Sequence, residues 1–229
     1  MANAGFNAAT DLFSMGSAWK VKSSNLNKSA SAAECPNNLG DITHRDAYGE
    51  KIAPTAEYEL AEDVDELPDL GTVVTIDGVK VAISSITIKT TKGAPVTASV
   101  SGVQVESGAA TKRTYSCGEV AISARHKAQD ILGLYGNSMP ATITESSVAF
   151  TADVTVAEPQ GVIANHDVSN GKAVATFTHT CGTAAAVAAP TVSGNDTIVH
   201  QPVTKTSPEN DYITCEVGVT KSLTGEEAD

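Results

Sequence analysis

From Gly71 onward, apolar and polar positions alternate in a way that predicts strands. "TVVTI-DG-VKVAI" is two apolar runs separated by Asp77 and Gly78, and Asp-Gly is the strongest short hairpin signal because both central residues of a type I′ turn need positive φ. In the second arm Val79, Val81 and Ile83 share a face while Ile86 and Ile88 fall out of phase. One extra residue near Ser84 and Ser85 would return all five to one side, so a β-bulge is expected there. In "SVAFTADVTVAE", Val148, Phe150, Ala152, Val154 and Val156 alternate with polar or small residues, the pattern of a strand with one buried face. "KAVATFTHT" and "YITCEVGVT" alternate likewise, the latter burying Ile213, Cys215, Val217 and Val219.

One segment switches to helical spacing. Ala124, Ala128, Ile131, Leu132 and Tyr135 form a stripe after Ser123 as N-cap and before Gly136 as stop, which predicts a helix near residues 124–135. Residues 1–56 lack sustained periodicity, with Pro36 and Pro54 as breakers, and read as an arm or set of loops. Within it "AATDLFSM" is spaced for a short helix. The sparse apolar content of this arm predicts that it orders only against neighbouring subunits. A faint internal echo aligns "ITIKTTKGAPVTASVSG", continuing to "TYSCGEVAIS", with "ATFTHTCGTAAAVAAPTVSG", continuing to "YITCEVGVTKS".

Composition agrees with a β reading. The apolar fraction is 41% but the aromatic fraction only 4%, so the core is built from small and β-branched side chains suited to pleated surfaces. The expected fold is therefore mainly β: an antiparallel β-sandwich or barrel over residues 57–229, one flanking α-helix, and a long irregular N-terminal arm over 1–56. No apolar run approaches the roughly 18 residues of a membrane span, so no membrane insertion is expected. The first residues show no signal-peptide pattern, which points to synthesis in a cytoplasm. Cys35, Cys117, Cys181 and Cys215 stand far apart and are expected as free thiols.

Charge changes the picture in one place. Against 27 acids and 15 bases in the whole chain, "EYELAEDVDELPDLG" gathers Glu57, Glu59, Glu62, Asp63, Asp65, Glu66 and Asp69 with no base. Leu60, Val64, Leu67 and Leu70 within it are spaced for a short acidic amphipathic turn before Pro68, leucines on the sheet and carboxylates in water. The acids are expected to face solvent and not to ligate metal.

Recognisable catalytic chemistry is missing from the sequence. His44, His126, His166, His179 and His200 are scattered without metal-ligand spacing. His179 and Cys181 share one strand face, which makes a site conceivable and plain packing the simpler reading. "HRD" at His44–Asp46 lacks the glycine-rich loop and DFG of a kinase. No GxSxG, P-loop or dinucleotide fingerprint occurs. No catalytic residue, cofactor or metal is therefore expected, and the chain reads as non-enzymatic. A net charge of −12 repels duplex phosphates, and the scarcity of aromatics disfavours single-strand platforms and carbohydrate stacking, for which Trp19 is the best candidate.

The order of arm, hairpin, strands, helix and strands, in an acidic chain without a site, resembles the virion proteins of tailed bacteriophages, above all the tail-tube subunits. The resemblance is architectural and carries no diagnostic motif. It implies self-assembly into stacked, hexameric rings, contacts with other virion proteins, DNA only in passage without sequence-specific binding, and a place in the phage tail. The acidic run would then line the lumen, lie between subunits of adjacent rings, or lie on the outside. The competing expectation is a capsid decoration or cement protein, or another non-enzymatic β-sandwich binding module.

Overall fold

The computed structural model of the chain describes residues 10–36, 42–136, 139–159, 162–181, 190–191, 196–206 and 213–227. Its strands are β1 (Trp19–Pro36), β2 (Ile42–Leu60), β3 (Val73–Ile76), β4 (Val79–Thr91), β5 (Thr97–Gln104), β6 (Arg113–Tyr115), β7 (Ile143–Ala157), β8 (Asn165–Cys181), β9 (Thr197–Thr206), β10 (Ile213–Ser222) and β11 (Gly225–Glu227). Nine of them form one sheet in the order β1-β2-β5-β4-β7-β8-β10-β9, with β3 alongside β4, while β6 and β11 make a separate pair. Every pairing is antiparallel.

The β3–β4 hairpin turns at Asp77 (φ 50°) and Gly78 (φ 80°), with Ile76 opposite Val79, so the Asp-Gly signal acts as its backbone chemistry requires. A register shift between Ile83 and Ser85 is the expected bulge, and Val81, Ile83, Ile86 and Ile88 are all buried.

Register explains how the sheet sorts its side chains, because residues opposite one another share a face. Ala56, Val100, Ile86, Phe150 and Ala173 lie in one row, and Tyr58, Ala98, Ile88, Val148, Ala175 and Val219 in the next; all of them are buried. The alternate rows are Ser23, Glu57, Ser99, Thr87, Ala149, Val174 and Thr220, and then Asn25, Thr55, Ser101, Ser85, Thr151 and Lys172. One face is thus a Val, Ile and Phe floor and the other a Ser/Thr surface with hydroxyls bonded to each other, as at Ser85 and Ser101 (2.7 Å).

The apolar face is covered by irregular chain. Phe13, Leu70, Cys117, Val120, Ile122, Ile131 and Leu134 are buried in the same cluster as the floor, which places residues 10–18, 61–72 and 115–136 over it. Two short bridges, Val64 with Ile122 and Leu70 with Tyr115, hold segments of the cover together. The close approach of cover to sheet is sharpest at Gly171, where an added Cβ would meet the Tyr115 ring at 2.1 Å.

Four expectations are corrected here. No α-helix occurs among the described residues, and residues 124–136 form bends and turns. Asp130 accepts the amides of Leu134 and Tyr135 (2.9 and 2.5 Å), and Gly133 and Gly136 sit at positive φ, so side chains and glycines take the place of helical bonds. Of the predicted stripe Ala128 and Ile131 are buried, while Ala124, Leu132 and Tyr135 pack only partly against the core; Leu134, outside the stripe, is buried as well. The arm is not irregular over 19–36 and 42–56: it is β1 and the greater part of β2, which continues through residue 60. The "AATDLFSM" helix is absent over 10–15, its first residues lying outside the described ones. There the Asp11 carboxylate accepts the amides of Phe13 and Met15 and the Tyr58 hydroxyl. The acidic segment before Pro68 likewise forms no helical turn, because Val64 and Leu70 pair with neighbouring chain and the residue before proline is pushed from the helical region.

The two halves of the internal echo are not equivalent in space. Tyr115 lies in the separate β6–β11 pair, whereas Ile213–Ser222 lies within the main sheet. Most of residues 182–195 lie outside the described ones.

Candidate functional site

The fold splits the acidic run in two. Glu57 and Glu59 belong to β2 and project onto the Ser/Thr face, where Glu57 accepts from the Ser23 hydroxyl (3.4 Å) and Glu59 lies 3.6 Å from Lys22. Glu62, Asp63, Asp65, Glu66 and Asp69 fall in the cover, on the other side of the sheet. Glu62, Asp63, Asp65 and Glu66 are exposed and Asp69 is half-buried. Within the same segment Leu60 and Leu70 are buried while Val64 and Leu67 pack partly against the core, so the leucines anchor the chain and the acids face outward.

Asp63 has a structural task. Its Oδ1 accepts from the Ala124 amide (2.7 Å) and the Ser123 hydroxyl (3.1 Å). Those bonds, the Ala124 amide first, with Arg125 nearby, hold its carboxyl below the usual range because each favours the ionised form.

Asp65, Glu66 and Asp69 face Glu119 across an open cleft of about 1120 Å³ between residues 65–69, 116–121 and 130–133. Asp130 also lines it, but its carboxylate is engaged by the Leu134 and Tyr135 amides. Leu67, Val120 and Leu132 supply apolar walls, and among the described residues no basic one lines the space. Sequence reading found the run but missed Glu119, which approaches only through the pairing of Val120 with Asp65 (amide to carbonyl, 3.3 Å). Among the described residues no group of three or more His, Cys, Asp or Glu side chains is placed to hold a metal ion.

The buried polar groups mostly bind the cover to the sheet. The amide of Gln129 donates to Thr90 (2.9 Å) and Ser146 (3.2 Å), and Ser146 donates back to its carbonyl (2.5 Å). Its side chain accepts from the Ser123 amide (2.7 Å) and donates to the Ser123 carbonyl (2.6 Å). At a second point Glu106 receives His166 Nδ1 (2.7 Å) and Lys112 Nζ (3.1 Å), and Lys112 also donates to the His166 carbonyl and to Asn165. Burial pushes the Glu106 carboxyl up, but its own backbone amide and these two partners outweigh it and hold the group low. Glu106 is saturated with partners and serves as a clasp.

His179 is buried, within 3.0 Å of the Thr142 hydroxyl and 3.3 Å of the Tyr135 hydroxyl. Burial lowers its pKa. The Cys181 side chain that the sequence places on the same face lies outside the described residues. Cys117 and Cys215 are buried, and burial, then Asp69, pushes the Cys117 thiol up to about 12, leaving it protonated and unreactive at neutral pH. Trp19 is 4% exposed and therefore offers no stacking platform. No helix among the described residues is long and apolar enough to cross a membrane.

No protein-family model matches the chain, and no curated protein is similar to it in sequence. Geometry and chemistry alone carry the functional reading.

Proposed function

We propose that the chain is a non-enzymatic structural subunit that assembles with copies of itself, and that its place is the tail tube of a bacteriophage, as stacked, hexameric rings through which DNA passes. The observation that carries self-assembly is the β1–β2 ribbon. β2 pairs with the rest of the sheet only over Thr55–Glu59, while β1 and β2 pair with each other from Trp19 opposite Leu60 to Pro36 opposite Ile42. From Pro54 to Ile42 the ribbon has no third strand among the described residues, a length of about 40 Å at the usual rise. A two-stranded ribbon is marginal in water by itself, and a neighbouring subunit supplies the missing surface. Among the described residues the sheet also ends in two open edges, β1 and β9, which are hazards in a monomer and joints in an assembly.

The Ser/Thr face suits a wetted channel wall. Its charges are mixed: Glu57, Glu59, Glu145 and Glu216 against Lys20, Lys89 and Lys172 share its rows. Without a positive excess such a wall does not hold duplex phosphates, so DNA slides. Joined side by side, the sheets of a ring would close into a barrel with this face inward, which is where the sandwich or barrel character belongs. The acids on β2 would then face the lumen and those of the cover would lie between subunits.

Electron microscopy and sedimentation of concentrated protein test this reading. Long tubes or hexameric rings are expected. Trimers or monomers at every concentration would sink it and favour a decoration protein.

A further inference from the structure

The cations are unevenly used. Lys22, Lys28, Lys51, Lys89, Lys112 and Arg113 each pair with a carboxylate. Lys92, Arg125 and Lys127 are exposed and have no ion pair among the described residues. They nevertheless stand together, because the Gly93 amide donates to the His126 carbonyl (3.0 Å), joining the β4–β5 turn to the 124–127 bend. The result is a basic tip on a protein of net charge −12.

Its complement is on the same chain. The cleft carries Asp65, Glu66, Asp69 and Glu119 on its rim, has no base among the described residues, and offers Leu67 and Leu132 as walls. Asp63, which lies in the electrostatic reach of Arg125, and the acidic balance of the whole chain make the tip a poor site for phosphate.

We infer that the basic tip of one copy, Lys92, Arg125 and Lys127, seats in the carboxylate-rimmed cleft of the next. The inference rests on the self-assembly reading and deepens it by naming the two surfaces. Because tip and cleft are different patches, the contact is head-to-tail and propagates into a ring or filament. Opposed charge sets orientation and speeds encounter, and salt weakens it over the roughly 8–10 Å screening length of physiological solutions.

The test uses the full chain in two charge-reversed forms, K92E/R125E/K127E and D65K/E66K/E119K, all at exposed positions. Circular dichroism and melting establish that each folds, and sedimentation velocity reads assembly. Each form alone has like charges on both surfaces and is expected to need at least tenfold higher concentration to assemble than the wild type. An equimolar mixture has opposite charges at both contacts and is expected to recover assembly in alternation. A wild type that assembles while both forms assemble equally well, or a mixture that stays dispersed, overturns the contact and leaves self-assembly standing. A wild type that stays monomeric at all concentrations overturns both. Should a triple variant not fold, R125E and E119K singly, and then mixed, read the same loss and recovery.

Discussion

The sheet and its cover bury similar side chains but hold their backbones by different means. In β4, β7 and β8 the inter-strand ladders supply the backbone partners, so Ile88, Val148 and Ala175 reach the core through a repeat of two. In the cover, residues 115–136 bury Val120, Ile122, Ile131 and Leu134 with few such ladders. There Asp63, Asp130 and Gln129 accept the amides that a helix or strand would otherwise satisfy. Buried backbone groups must be paired in either case. Secondary structure provides the partner in the sheet, and a few polar side chains provide it in the cover. Cooperativity should therefore differ: the sheet fails as a whole, and the cover can be released at single residues.

The comparison is broken most severely from the sheet side. Phe150→Ala removes a fully buried ring from the central floor and is expected to cost about 3–5 kcal/mol, read as a lower denaturant midpoint with sheet and cover lost together. A cover that outlasts the sheet would show that it does not depend on that floor. Gly171→Ala strikes their junction, since its Cβ would meet Tyr115 at 2.1 Å. Overpacking of this kind costs about 1–3 kcal/mol, and Tyr115→Ala in the same chain should restore part of it by making room.

Gln129→Ala tests the cover alone. It leaves the Ser123 amide and carbonyl without their partner, at about 1–3 kcal/mol. Hydrogen exchange should quicken over 120–135 while β7 and β8 stay protected. Equal loss of protection in both would show that the cover is not separately released.

A gentler lever is pH. Burial depresses the His179 pKa, so on acidification the unfolded chain takes up the proton before the folded one. Its contribution is complete above the unfolded value of about 6.5 and is lost as pH falls through that value toward the folded one. The melting midpoint should drop as pH falls through about 6.5, and His179→Gln should flatten that drop. Asp63, held low, acts in a more acidic window: its stabilisation is present above the unfolded value of about 3.9 and lost as pH falls toward its folded value. The smallest effect is expected from Asp65→Asn with Glu66→Gln, both exposed, within about 0.5 kcal/mol for the isolated chain. A larger loss would mean that the cleft acids support the fold.

Several features were legible from residues alone. The hairpin at Asp77 and Gly78, the bulge near Ser84 and Ser85, and the buried phase of β7 all follow from local rules: positive φ at a two-residue turn and alternation on a pleat. The outward placement of Glu62, Asp63, Asp65 and Glu66 follows from charge in the same way. Residues 124–135 show the limit, because their spacing is helical and their apolar positions are buried or partly buried, yet Asp130 and Gln129 spend their side chains on backbone amides and hold turns instead. The ribbon shows it again. Residues 19–36 and 42–56 have little periodicity, and their strands exist because each pairs with the other and β2 also pairs with β5. What the sequence determined, then, was the local pattern: which positions are buried, where the chain must turn, and where charge must meet water. Only tertiary structure decided that the acidic run would divide between two sides of a sheet and that Glu119 would join it across a cleft. Pairing between distant segments places those groups, and no repeat along the chain encodes it.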